Sequence, residues 1–240
     1  MCYFLSVNFS KEEIEQGLGT EFDDTAHYEP NFYFNAFSLP YLPIISNDKK
    51  EIIQLFQWGL IPSWVKDEGY AEKIRLGTFN AKAETITEKS SFKIPVRTKR
   101  CLVMCSGFFE WQTVNNKKYP YYIQLKNNQV MTFAGIFDNW QNKSTGEIHN
   151  TFSIITTSAN QLLEKVHNVR KRMPVILKQG EEKLWLDMNV PLSNSLKLLQ
   201  PYDEKKMKAH TVSPLITGKG VDKNVPDLIK PYAYSNLPPL

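Results

Sequence analysis

Thr151-Phe152-Ser153-Ile154-Ile155-Thr156-Thr157-Ser158-Ala159-Asn160-Gln161 changes its periodicity half-way. Its first seven residues are dense in β-branched side chains, the composition of a strand. Ser158 and Gln161 then stand three apart in a capping-box pattern, which opens a helix running toward His167. Further strands read outward from this point at Ile52 to Trp58, Cys101 to Met104, Val175 to Leu177 and Met207 to Val212. Tyr121 to Leu125 and Val130 to Phe137 flank Asn127-Asn128 and predict a hairpin. Helices are fewer: one opened by the capping box Ser10-Lys11-Glu12-Glu13 and ending near Gly17, one at Trp185 and Leu186, and one from Ser193 to Leu199. Residues 18–50 read as loops and short strands. Strands outnumber helices without the regular alternation of a doubly wound sheet. The expectation is a β-rich α+β fold, its sheet curled like a barrel with helices at the periphery. No linker divides the chain, so one domain is expected over 1–240, with a core from about 2 to 232.

The composition agrees with a globular chain. Of 240 residues, 42% are apolar and 12% aromatic, too many for a disordered polymer. No apolar run approaches the ~20 residues of a membrane span, and the first residues lack the basic start of a signal peptide. A cytoplasmic protein is expected. Its 29 basic and 25 acidic residues leave a net charge of +4, which permits a nucleic-acid partner without requiring one. Cys2, Cys101 and Cys105 give no disulfide framework. With His27, His149, His167 and His210 scattered, they give no metal motif either, so neither a metal nor an organic cofactor is expected.

Cys2 carries chemistry of its own once Met1 is removed. The mature residue has an amine and a thiol on adjacent carbons, and such a 1,2-aminothiol condenses with an aldehyde to a five-membered thiazolidine. An α-amine with a pKa of roughly 7.7–8.0 is partly neutral at pH 7, unlike a lysine. Four other segments follow in order. They are Gln57-Trp58-Gly59-Leu60-Ile61-Pro62-Ser63-Trp64, Asn80-Ala81-Lys82-Ala83-Glu84-Thr85, Arg100 to Trp111 with Ser106-Gly107-Phe108-Phe109-Glu110-Trp111, and Thr156-Thr157-Ser158-Ala159-Asn160 leading to His167 and Arg172-Met173-Pro174-Val175-Ile176-Leu177.

Behind an N-terminal Met-Cys, these segments resemble the SOS-response-associated peptidase (SRAP) family of abasic-site processing proteins, over most of the chain. The resemblance implies that the protein senses abasic sites in single-stranded DNA, near stalled replication forks. It further implies that Cys2 forms a thiazolidine cross-link with the ring-opened sugar, with lyase and cross-link reversal as associated activities. By motif, Cys2 matches the nucleophile and Asn80 the residue that orients the reacting groups. Glu110 and His167 match the proton-handling pair. Each residue also has a plain structural reading: Glu110 as a salt-bridge partner, Asn80 as a turn cap, His167 at a helix C-terminus, and Trp58, Trp64 and Trp111 as core aromatics.

For DNA contact the candidates are Arg170-Lys171-Arg172 beside His167, a second basic cluster of Lys93, Arg97, Lys99 and Arg100, and Lys82. Pro43 and Trp64 are candidate wedges against bases flanking the lesion. The partners expected are single-stranded DNA and replication-fork proteins, with no membrane and a monomeric state. Some positions depart from the family pattern. Lys82 replaces an arginine and loses its bidentate geometry, Tyr3-Phe4 replace Gly-Arg, and four residues separate His167 from Arg172. Two other activities fit the same residues: a cysteine peptidase using Cys2, His167 and Glu110, and a non-catalytic single-strand-binding module.

Overall fold

A computed structural model of the chain describes residues 2–237. Strand β11 (Ile148–Ser158), which contains the stretch quoted above, is its hub. One edge pairs antiparallel with β10 (Met131–Gln141) and, further along, with β12 (Arg172–Pro174). The other edge pairs parallel with β5 (Lys49–Trp58) and then β6 (Asn80–Lys82). From β10 the ladder continues to β7 (Arg100–Cys105), then β4 (Tyr41–Ser46), and returns to β5. Because β5 also touches β11, these five strands close into a barrel, the curled sheet expected from sequence. The short β2 (Glu21–Phe22) adds to β5. β10 shows why closure is favourable: every residue from Met131 to Asp138 is buried, so both faces need cover.

A second sheet of five strands runs β13 (Met207–Thr211), β9 (Lys117–Leu125), β8 (Gly107–Val114), β1 (Phe4–Val7) and β3 (Asn31–Asn35). The chain crosses from the barrel to this sheet at Ser106, whose N–H donates to the Ser6 carbonyl and whose hydroxyl accepts from Asn8 N–H. Side chains alternate along β8. Phe108 and Glu110 share one face and Phe108 packs against Phe133 of the barrel, while Phe109 packs with Tyr122 in a separate cluster on the other face.

Among the described residues, six α-helices are peripheral. α1 (Lys11–Leu18) has the capping box expected at Ser10 and Glu13, but ends at Gly19 in the left-handed region (φ 65°), two residues beyond Gly17. The others are α2 (Glu68–Arg75), α3 (Pro95–Thr98), α4 (Gln161–Val166), α5 (Glu181–Leu186) and α6 (Leu192–Leu196). Trp185 of α5 is buried and donates to the carbonyls of Cys101 and Gly135, fastening the helix to the barrel. Among the described residues no helix is long and apolar enough to cross a membrane.

Three local expectations need correction. The predicted hairpin does not form, because β9 and β10 lie in different sheets. The hairpin partner of β9 is β8, through Asn115-Asn116, both at positive φ (48° and 62°) as a two-residue turn of type I′ requires. The cap of α4 is Asn160, whose Oδ1 accepts from Leu163 N–H, and Ser158 still belongs to β11. The segment Val175 to Leu177 forms no extended strand and bonds singly to Ile155, Ala134 and Thr132.

Asp138 joins the barrel to the loop after β5. Its Oδ2 accepts from Ser63 N–H at 2.7 Å, and its Oδ1 accepts from Lys99 Nζ at 2.6 Å. Replacing Asp138 with Ala would take the acceptor from Ser63 N–H and the counter-charge from Lys99, leaving that ammonium its bond to Asn139 Oδ1 at 2.9 Å. A loss of about 2–4 kcal/mol is expected in urea unfolding, with the m-value unchanged. A midpoint equal to wild type would show that solvent satisfies Lys99 in its place.

Candidate active site

Cys2, Asn80, Glu110 and His167 come from four distant segments and meet between the two sheets. Cys2 is fully buried just ahead of β1. Its carbonyl accepts from Asn80 Nδ2 at 2.8 Å, and its thiol lies 3.8 Å from the Phe4 carbonyl. Asn80 starts β6, held in place because Phe79 O accepts both Ile154 N–H and the indole N–H of Trp58. Asn80 Oδ1 is buried and, among the described residues, accepts no hydrogen bond. An amide oxygen left in that condition beside a reactive residue is suited to accept from a substrate group.

Glu110 and His167 are both buried, with His167 Nδ1 3.5 Å from Glu110 Oε1. The same Nδ1 is 2.9 Å from the Arg172 carbonyl, which can only accept. The proton therefore sits on Nδ1, and Nε2 keeps its lone pair. Burial acts on the two groups in opposite directions. It pushes the Glu110 carboxyl up to about 8 and the His167 imidazole down to about 4; the amino-terminal positive charge, and after it the Arg170 guanidinium, moderate the first and reinforce the second. At neutral pH the carboxyl thus holds a proton and the imidazole is an unprotonated base, the arrangement of an acid–base pair. Burial also raises the Cys2 thiol far above its ordinary value, with a smaller push from Glu110. Among the described residues no group of three or more His, Cys, Asp and Glu side chains could hold a metal ion.

The model of the SOS response associated peptidase (SRAP) family matches residues 1–218. The chain belongs to the SRAP family. It is 39% identical over 219 residues to the abasic site processing protein YoqW of Bacillus subtilis, covering 90% of this chain and 93% of the relative. It is 31% identical to the abasic site processing protein HMCES of Xenopus tropicalis, over 80% of this chain and 64% of that one. A crystal structure of a protein from Bacteroides thetaiotaomicron superposes with a TM-score of 0.90 at 37% identity, covering 97% of this chain and 100% of the other.

Within this SRAP chain, the residues singled out for DNA fall into two groups. Lys82 is exposed two positions beyond Asn80 on β6, and Arg170 is exposed close enough to act on Glu110, His167 and Tyr3. Arg172 is engaged internally. Its guanidinium makes a bidentate pair with Glu84 at 2.5 and 3.0 Å and donates to Thr156 O at 2.7 Å. Trp64 is 42% exposed but bonds to Ser90 O and lies near Tyr70, with no hydrogen bond or ring contact to the four central residues. Pro43 is buried inside β4 opposite Leu55, so it offers no wedge at the surface. The second basic cluster is divided: Lys93 and Arg97 are exposed, whereas Lys99 pairs with Asp138 and Arg100 is buried against Trp185. Trp58 is a core residue as expected.

Sequence reading missed the supporting contacts. Glu84, the last residue of the Asn-Ala-Lys-Ala-Glu segment, fixes Arg172, whose carbonyl sets the His167 tautomer. Tyr3 and Phe79, the sequence neighbours of Cys2 and Asn80, each lie 5.2 Å from the ring of Phe37. The local signal for Tyr3, Phe79 and Glu84 was their position in or beside the motifs; Phe37 had none.

Proposed function

We propose that this protein acts on abasic sites in single-stranded DNA and captures the ring-opened sugar aldehyde as a thiazolidine through Cys2, once Met1 has been removed. The observation that carries the reading is the burial of Cys2 against Asn80 with an inverted Glu110–His167 pair beside it. The names of its relatives in Bacillus subtilis and Xenopus tropicalis support the substrate.

The steps balance without a cofactor. The Cys2 amine adds to the aldehyde carbon to give a carbinolamine. Protonated Glu110 delivers its proton to the hydroxyl, water leaves, and an iminium forms. The Glu110 carboxylate then takes the thiol proton, and sulfur attacks the iminium carbon to close the ring. One water is released, Glu110 ends protonated, and no redox change occurs. Using a carboxyl raised by burial, this route needs no standing thiolate, which the high pKa of Cys2 would make scarce. A cysteine peptidase would need that thiolate, so the same burial disfavours the peptidase reading. In this reading His167 Nε2 accepts the ring-hydroxyl proton as the sugar opens. Lys82 and Arg170 hold flanking phosphates.

The test mixes the mature protein with an oligonucleotide carrying one abasic site, read by denaturing electrophoresis and intact mass. Wild type is expected to give a heat-stable adduct that is one water lighter than the sum of its parts. Cys2→Ala and a preparation retaining Met1 are expected to give none. An equal adduct with Cys2→Ala, or none from wild type shown to lack Met1, overturns the proposal.

A further inference from the structure

The segment between α4 and β12 carries His167 at its first position and is otherwise open to solvent. Val169 is 71% exposed, Arg170 and Lys171 are exposed, and Lys171 is in the left-handed region (φ 48°). Main-chain bonds tie its ends, from Lys171 N–H to His167 O and from Ala159 N–H to Lys171 O. Between them, Asn168 is the one side chain of residues 168–171 that bonds to another element, among the described residues. Its Oδ1 accepts from Thr113 N–H at 3.0 Å, and its Nδ2 donates to Thr113 O at 2.8 Å.

Thr113 lies three residues beyond Glu110 on β8. Val114 and Lys117 flank the two-residue turn and so exchange bonds with each other, which points the main-chain groups of Thr113 away from β9. That outward edge is the one β1 covers at Gly107 and Phe108. At Thr113 the Asn168 amide takes the place of a strand residue, satisfying both main-chain groups at once.

We propose that Asn168 is a positioning residue for the acid–base pair: by pairing with Thr113 as a strand would, it docks the His167 segment onto the strand that bears Glu110 and sets the imidazole–carboxyl contact. This role rests on the proposed use of Glu110 and His167 in aldehyde capture. The Arg172 carbonyl chooses the tautomer, and Asn168 sets where the ring stands. Without the dock, His167 retains its anchors to Leu163 and Arg172, and α4 still packs on β8, but the two bonds that fix the segment after α4 on that strand are lost. The charged groups acting on the imidazole are then the amino-terminal charge and Arg170, with Glu110 once its carboxyl ionises, together with water admitted at the β8 edge.

The experiment compares wild type, Asn168→Ala and Asn168→Asp by two independent readouts. Nitrogen NMR of labelled imidazole reports the His167 tautomer and titration, and the abasic oligonucleotide reports the adduct rate at pH 7. Asn168→Ala is expected to remain folded, to titrate at His167 closer to 6.5 than to 4, and to form adduct roughly 10–100-fold more slowly, as a displacement near 1 Å would do. Asn168→Asp keeps the bond from Thr113 N–H, loses the donor and adds a charge. It is expected to raise the His167 titration as well, which keeps the test open if the alanine variant does not fold. Wild-type titration in both variants would overturn the positioning role. If wild type itself formed no adduct, the proposed function would fall while the NMR comparison still decided whether Asn168 places the ring.

Discussion

Gly107→Ala is expected to lower the melting temperature by roughly 6–12 °C, from a loss of about 3 kcal/mol. A β-carbon at Gly107 would stand 2.3–2.4 Å from Cζ, Cε2 and Oη of Tyr122. The register explains the collision. Tyr122 faces Phe109 across β8 and β9, so its ring leans over the diagonal neighbour on the same face, which is Gly107. The ring cannot retreat. Tyr122 is 1% exposed and packs against Phe109 at 5.1 Å and His210 at 5.9 Å. Gly107 is also where the chain enters the second sheet, three residues before Glu110, so adduct formation is expected to weaken along with stability. The double variant Gly107→Ala with Tyr122→Leu removes the obstructing ring edge. Its melting temperature should lie above the value obtained by adding the two single shifts to that of wild type. Gly107→Ala melting like wild type would refute the steric account.

Glu110→Gln is expected to cut the adduct rate by at least 100-fold while making the fold more stable at alkaline pH. The sign follows from the direction of the shift. The carboxyl titrates near 8 in the folded protein against an ordinary value of 4.5. Between those values the unfolded chain has released a proton that the folded chain still holds. Wild-type stability therefore falls as pH rises from about 4.5 to 8, and glutamine abolishes that slope. His167, lowered to about 4 from 6.5, works the other way, and its contribution is lost as pH falls from 6.5 toward 4. The two effects separate above pH 6.5. Urea midpoints from pH 6.5 to 9 should show a gap between Glu110→Gln and wild type that widens toward pH 8 and then levels, by a few kcal/mol. Parallel curves would mean that Glu110 ionises normally. In the same window wild-type cross-linking should fall as pH passes 8, because the proton donor is lost.

Local sequence signals were sufficient for many elements. Ser10 and Glu13 cap a helix whose first turn is decided within four residues, and the β-branched run at 151–157 lies inside β11. The hairpin failed because Asn115-Asn116 and Asn127-Asn128 offer similar turn chemistry. β10 is buried on both faces, and only a barrel with neighbours on both edges satisfies it, so it leaves β9 for β7 and β11. Pro43, Arg172, Lys99 and Arg100 were read as surface groups from residue type. Burial and pairing depend on neighbours tens of residues away.

The sequence alone determined the kinds of groups available: an aminothiol precursor at Cys2, a carboxyl at Glu110, an imidazole at His167, an amide at Asn80, and a β-rich frame to carry them. Tertiary structure decided that Asn80 reaches Cys2 across 78 residues and that Asn168 reaches Thr113 across 55. It also decided that Glu110 holds a proton where His167 does not. The reason is physical. Periodicity and capping report interactions over a few residues, whereas ladder register fixes contacts between remote strands, and desolvation, which inverts the protonation of the pair, exists only after the sheets have closed over them.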